Sequence, residues 1–366
     1  MALKTNTSGD KPKSGIKAIA EALGISIATV DRALHNRGRI SAETRTRVLR
    51  MAERLEYQPN LAARDLKLNR HFTVSVNLPI GRSFFDRLRA GVLEGASPFR
   101  STLKIEVRNF TRTQDHSREL ESIKNAIDAQ VNGIITAPPN TPQMADLVRR
   151  AKEKVIPIIY ISTDAPESGR LSAVTAYPFN CGAMAAEVLA PYMQKQGSIA
   201  VLAGDLENLN QSEKLRGFRT ALSQTSPELA VASVIEARDD PNEVYQQTCR
   251  LLQTVRNLSA LYIATSTSVP ALAALQDAGR LGSVFVVTTD LFPGLVRFIR
   301  DGAVKATVFQ CPEEQGSIAI QTMFRYLSEG IVPPPSIGVI PQLIIRSNLD
   351  LYSKNLEDVA QPNSRL

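Results

Sequence analysis

Residues 16–36 read IKAIAEALGISIATVDRALHN, and their polar side chains are spaced to meet nucleic acid rather than to break bonds. Thr29, Arg32, His35 and Asn36 fall opposite an apolar face. Arg32 offers the planar donors that suit bidentate contact with a guanine edge. Thr29 and Asn36 suit the phosphate backbone, and His35 reads as a surface side chain. Catalytic arrangements are missing. The chain has no GxSxG, no P-loop and no HExxH, and no GxGxxG follows its first strand. His35, His71 and His116 do not cluster, and Cys181, Cys249 and Cys311 show no CxxC or metal-ligand spacing. Reduced thiols are expected, with no enzymatic activity, no cofactor and no metal site.

The elements that position these residues follow from apolar spacing. Ile16, Ile19, Ala20 and Leu23 recur at helical intervals, Gly24 breaks the pattern, and Val30, Ala33 and Leu34 resume it. Two short helices joined by a tight turn form a helix-turn-helix. Ala20 is small where the helices cross, and Gly24 can take the left-handed conformation that ends the first. Ile25 plugs the gap, and Ser26 can cap the second helix through its oxygen. An αα-hairpin in an ordinary core would show the same spacing, so the flanks decide. A third helix fits 42–55, ended by Tyr57, Pro59 and Asn60, and AARDLK at 62–67 is again helix-capable.

Charge gives an independent check. The 366 residues hold 43 Lys/Arg and 36 Asp/Glu, a net of +7. Residues 1–70 contain 14 basic and 7 acidic residues, which leaves 29 of each sign in the remainder. The whole excess therefore sits at the helix-turn-helix end, as a phosphate-binding headpiece on a neutral body requires. The first fifteen residues lack the apolar core of a signal peptide, and no run approaches the ~18 apolar residues of a membrane span. A cytoplasmic protein with no membrane partner is expected.

From Phe72 onward, apolar strands alternate with helical patterns, the sign of parallel sheets with crossover helices. Strands fit 72–78, 103–110, 133–137, 157–162, 198–204, 231–237, 260–265, 284–290 and 306–311. Helices fill the gaps, for example at 85–96, 117–131, 182–194, 214–223 and 244–255. Such sheets hold ligands beyond the carboxyl ends of their strands. No solenoid repeat or low-complexity segment appears.

The order IKAIAEALGISIATVDRAL, ISAETRTRVLRMAERLEYQPN, AARDLK resembles the lactose-repressor (LacI/GalR) family of bacterial transcription regulators. The resemblance implies a ligand-responsive regulator, most simply a repressor, that reads a near-palindromic double-stranded operator as a homodimer. It places Ser26, Ile27, Ala28, Thr29, Arg32 and Asn36 at the DNA, with Ile27 and Ala28 offering apolar contact to a thymine methyl. Asp31 replaces a commoner serine. Leu66 falls where the family wedges a leucine between base pairs in the minor groove, or alternatively packs against the body, and Asp65 beside it departs from the usual small or polar residue.

The body resembles the type I periplasmic sugar-binding fold through SFFDRLRAGVLEGA (Ser83–Ala96), KLRGF (214–218), VVTTDLFPGLVRFIRDG (286–302) and ATVFQCPEEQG (306–316). The expected class is thus an all-α headpiece plus α/β, two doubly wound parallel-sheet lobes closing on a ligand. The resemblance implies an effector site of Phe84, Phe85, Asn210, Lys214, Asp290 and Gln310. The rings would pack on a sugar face, or alternatively serve as core. Asp290 would accept ligand hydroxyls, or alternatively cap the helix after Pro293. Asn208, Asn210 and Ser212 are expected in one loop with Lys214. Ser162-Thr163, Tyr177-Pro178 and Thr265-Ser266 stand where sugar binders carry charged or amide clamps, so a neutral or differently shaped polyol, or a smaller metabolite, fits as well as an ordinary pentose or hexose. The implied layout is a tail at 1–14, headpiece at 15–59, hinge helix and linker at 60–71, effector domain at 72–352 and polar tail at 353–366. A solute binder without regulatory DNA binding is the alternative.

Overall fold

The computed structural model describes residues 16–34, 38, 40–55, 57, 70–81, 83–111, 116–139, 141–193, 197–238 and 240–353. Asn36, Leu66, the 1–14 tail and most of the 60–71 and 353–366 segments lie outside the described residues. The chain divides into two compact units, Met1–Leu68 and Asn69–Leu366.

In the first unit, α1 (Ile16–Leu23), α2 (Ile27–Leu34) and α3 (Ala42–Arg54) enclose Ile19, Ala20, Val30, Ala33, Val48 and Ala52. The turn works as its residues dictate. Gly24 sits at φ 63°, and the Ile25 N–H closes back on the Ala20 carbonyl at 3.1 Å. Ile25 then packs against the core.

The second unit is built from two lobes. The first contains β1 (Phe72–Pro79), α4 (Ser83–Ala96), β2 (Leu103–Phe110), α5 (Ser117–Asp128), β3 (Gly133–Thr136), α6 (Pro142–Glu153), β4 (Ile158–Ile161) and β5 (Ser172–Thr175). The chain then crosses to α7 (Pro178–Leu189), β6 (Ser198–Ala203), α8 (Leu209–Thr225), β7 (Val231–Glu236) and α9 (Pro241–Thr254). The same lobe continues through β8 (Leu258–Ile263), α10 (Val269–Asp277), β9 (Phe285–Thr289), α11 (Pro293–Arg300) and β10 (Val304–Phe309). It returns for α12 (Pro312–Glu329) and β11 (Ser336–Gly338), and crosses once more to β12 (Gln342–Ile345).

The sheet orders are β2-β1-β3-β4-β5-β11 and β7-β6-β8-β9-β10-β12. Every pairing is parallel except β12 on β10, where Phe309 faces Gln342. In each lobe the order reverses beside the first strand, the switch point at which such sheets leave a crevice for ligands. The central strands are covered on both faces, so β3, β4 and β8 read as continuous apolar runs.

Sequence reasoning missed β5, β11 and β12, which are only three or four residues long and pair across the fold. It also ran seven strands one or two residues too far, among them those before Asp290 and Cys311. Asp290 and Cys311 have φ of 64° and 51°, so the extended backbone ends before each. The expected helices at 182–194 and 214–223 begin earlier, at Pro178 and Leu209, because first turns carry caps and prolines rather than apolar periodicity.

A repeat marks two of the lobe crossings. Tyr177-Pro178 and Cys311-Pro312 each place a left-handed residue before a proline that opens a helix, at the points where the chain changes lobe. A glycine follows four residues after each proline, Gly182 and Gly316. A Cβ on Gly182 would overlap the Lys214 carbonyl, and one on Gly217 would overlap that of Phe179. Gly316 stands in the same relation to Leu88, and Gly91 to Glu313. Both helix pairs, α7 with α8 and α4 with α12, are therefore packed backbone against backbone.

Candidate functional site

On the headpiece, Ser26 caps α2 as its type suggests, its Oγ accepting from the Thr29 N–H at 3.1 Å. The Ser26 and Thr29 hydroxyls also bond each other at 2.8 Å, so Thr29 is half-buried rather than fully outward. Ile27 is 53% exposed at the first position of α2, and Ala28 is exposed beside it. Arg32 is exposed, and its Nε donates to the Ala28 carbonyl at 3.1 Å, which leaves the other guanidinium nitrogens for a base edge. Asp31 acts electrostatically on Tyr57. Burial first and then this carboxylate push the tyrosine hydroxyl above its ordinary range.

In the second unit, Phe84, Phe85, Asn210, Lys214, Asp290 and Gln310 all line one cavity of about 70 Å³ between the carboxyl ends of the two sheets. That is room for several water-sized groups. Phe84 and Phe85 meet edge to face at 5.4 Å and are nearly buried, and both rings also wall the cavity. Asp290 does not cap the following helix, whose N-cap is Phe292. Its left-handed backbone turns the carboxylate toward Gln310, which donates its N–H to Oδ1 at 3.0 Å and its Nε2 to Oδ2 at 2.7 Å. Burial raises the Asp290 carboxyl above the usual carboxylate range, while Lys214 and the Gln310 donors work against that rise. Lys214 is 1% exposed, and its Nζ donates to the Ala264 carbonyl at 3.3 Å.

Asn208, Asn210 and Ser212 do not share a loop with Lys214. Asn208 is the N-cap of α8, and the other three lie on the helix. Ser212 bonds the carbonyls of Asn208 and Leu209 and is spent on its own helix.

Hydrogen bonds tie the lobes across the cavity. Thr163 donates to Asn208 Oδ1 at 2.7 Å, and Asn210 Nδ2 donates to the Ser162 carbonyl at 2.7 Å. Arg87 reaches from α4 to the Leu291 carbonyl at 2.9 Å, pairs with Glu313, and covers the Phe309 ring at 4.7 Å. Sequence reasoning missed Arg87, although an arginine within the apolar face of FFDRLRAGV was a signal. It also missed His116, which lines the cavity with its Nδ1 3.3 Å from Glu119. No local pattern marks that residue. Of the departures from the usual sugar clamps, Ser162, Thr163 and Ser266 line the cavity. Asp164 instead pairs with Arg170 at 2.5 Å, and Tyr177 sits at the lobe crossing, half exposed.

Cys181 and Cys311 lie behind the site, and burial pushes both thiols up to about 12. They stay protonated and unreactive at neutral pH. No helix among the described residues is long and apolar enough to cross a membrane.

Comparison with known proteins bears on both halves. The sequence model of the lacI family of bacterial regulatory proteins matches residues 15–60, and that of the periplasmic binding protein domain matches 74–330. Catabolite control protein A of Staphylococcus xylosus is 24% identical over 333 residues, covering 89% of this chain and 96% of that protein. The HTH-type transcriptional regulator DegA of Bacillus subtilis is 28% identical over 269 residues, 73% of this chain and 77% of its own. Among solved structures, a solute binding protein from Burkholderia graminis in complex with D-arabinose superposes with a TM-score of 0.72 at 21% identity. It covers 77% of this chain and 98% of that one. One from Bacillus halodurans with bound myo-inositol gives 0.69 at 20% identity, over 78% and 98%.

Proposed function

The chain belongs to the periplasmic binding protein family and, through its headpiece, to the lacI family of bacterial regulatory proteins, and on that premise we propose a sugar-responsive transcription regulator. A carbohydrate or polyol occupies the cavity around Asp290 and sets the affinity of the headpieces for a near-palindromic operator. Two copies act together, because a two-fold protein meets a two-fold site. The protein works in the cytoplasm as a repressor and performs no catalysis.

The observation that carries this reading is the union in one chain of a helix-turn-helix at its basic end with a cavity where six residues converge. The cavity suits hydroxyl groups. Asp290 and Gln310 present acceptors, Lys214 and Asn210 present donors, and Phe84 and Phe85 offer an apolar wall. A ligand changes DNA affinity only through its differential affinity for two arrangements of the lobes. The three crossings between the lobes are where those arrangements diverge.

The test measures operator affinity at one fixed salt concentration, with and without an effector found by thermal-shift screening. Asp290→Ala abolishes the effector response and spares basal operator binding. Leu66→Ala weakens operator binding and spares effector affinity. A chain that binds a sugar but no DNA from its own upstream region is a solute binder, and the proposal fails.

A further inference from the structure

Arg87 is a buried cation that takes no part in lining the cavity. It sits on α4 and is 8% exposed. Its contacts fall on both sides of one lobe crossing. Nη1 donates to the Leu291 carbonyl at 2.9 Å, and the guanidinium covers the Phe309 ring at 4.7 Å, both in the second lobe. Nε donates to Glu313, in the first turn of α12 on the first lobe. Phe309 ends β10 and Pro312 opens α12, so only Gln310 and Cys311 separate the two grips.

The two sides differ in freedom. A Cβ on Gly91 would overlap the Glu313 carbonyl, so α4 and α12 are in backbone contact and Glu313 travels with Arg87. Leu291 and Phe309 travel with the other sheet. The guanidinium therefore keeps Glu313 in any arrangement of the lobes, and reaches Leu291 and Phe309 in one. Those two residues also flank the effector pair. Leu291 follows Asp290, Phe309 precedes Gln310, and Gln310 donates twice to Asp290. Stability alone does not call for such an ion pair, since desolvation offsets much of the attraction of a charge taken out of water. Its donors instead demand one geometry, because a planar guanidinium is satisfied only where partners lie along its N–H directions.

We propose that Arg87 is the positioning residue of lobe closure, a brace across the second crossing that favours the arrangement in which the lobes meet and carries a shift of Asp290 or Gln310 into α4. This rests on the effector reading above, but the measurements need neither effector nor DNA, so the two can fail separately.

The test uses the full chain, with backbone hydrogen exchange followed by mass spectrometry. A second contact between the lobes supplies the reporter: Thr163 donates to Asn208 and Asn210 to the Ser162 carbonyl, each at 2.7 Å. In Arg87→Met, peptides over 162–164 and 208–210 exchange about ten-fold faster than in the parent, the factor that one hydrogen bond to a charged group supplies. Arg87→Lys keeps the charge without the planar fork and gives a smaller rise. Faster exchange confined to α4 and α12 would mean that Arg87 only packs two helices together, and overturns the inference. Urea unfolding adds a cycle with Thr163→Val. Substitutions without a shared partner ordinarily add, whereas a brace makes Thr163→Val nearly silent once Arg87→Met has let the lobes part. Full additivity overturns the inference as well. Where Arg87→Met does not fold, Arg87→Lys carries both readouts in the same direction, and unchanged exchange over 162–164 and 208–210 in that variant overturns it.

Discussion

Gln310 holds Asp290 with two donors, its own backbone N–H at 3.0 Å and its side-chain Nε2 at 2.7 Å. The two residues stand just beyond neighbouring strands, β9 and β10, so the contact also joins the strand ends that open into the cavity. The carboxylate is fully buried, and one oxygen depends on the Gln310 side chain. Gln310→Leu keeps the backbone donor but removes the other. A hydrogen bond to a charged group contributes about 1.5–3 kcal/mol, and urea unfolding of the ligand-free protein should show a loss of that size at neutral pH. A loss below about 0.5 kcal/mol would mean that solvent replaces the amide.

The buried carboxyl also makes stability depend on pH. Its folded pKa is raised above the ordinary 3.8, with burial the largest cause. A raised group binds more protons folded than unfolded, so its contribution is full below 3.8 and is lost as pH rises through the folded value. Asp290→Asn has no such titration. The stability of this variant relative to the parent should therefore climb from acid toward neutral pH when both are unfolded without ligand. A flat difference would place the carboxyl in contact with water.

Thr163 and Asn208 give a cleaner handle on lobe closure. Thr163→Val preserves shape and removes the 2.7 Å bond between lobes, while Asn208 continues to cap α8 through the Asn210 N–H at 2.9 Å. One net hydrogen bond is about 0.5–1.5 kcal/mol, so effector affinity measured by calorimetry should fall roughly two- to ten-fold. Equal or tighter binding would show that this bond does not favour the closed form.

On the headpiece, Arg32 holds the Ala28 carbonyl through Nε alone, and its other guanidinium nitrogens remain for a base. Arg32→Ala should cost about 1–3 kcal/mol per lost bidentate contact and relax preference at one base pair in each half-site. Binding curves on operator variants check this. Preference unchanged at every position would remove Arg32 from the readout.

The sequence by itself determined the headpiece, because each of its signals is local. Ile19 and Val30 lie on helical faces, Gly24 turns, and Ser26 caps, all within a few residues. Parallel strands with crossover helices were legible for the same reason, since runs such as IIYI and ALYI report burial on both faces. Tertiary structure alone decided which helices each lobe keeps. Arg87 and Glu313 are 226 positions apart, and nothing near either residue announces the other. The tight α4–α12 and α7–α8 packing likewise depends on glycines whose absent side chains matter only once a distant backbone arrives. Asp290 shows the division within one residue. Its place after a strand could be read, but its left-handed backbone and its partner Gln310 follow from the pairing of β9 with β10, a long-range contact that no stretch of sequence encodes.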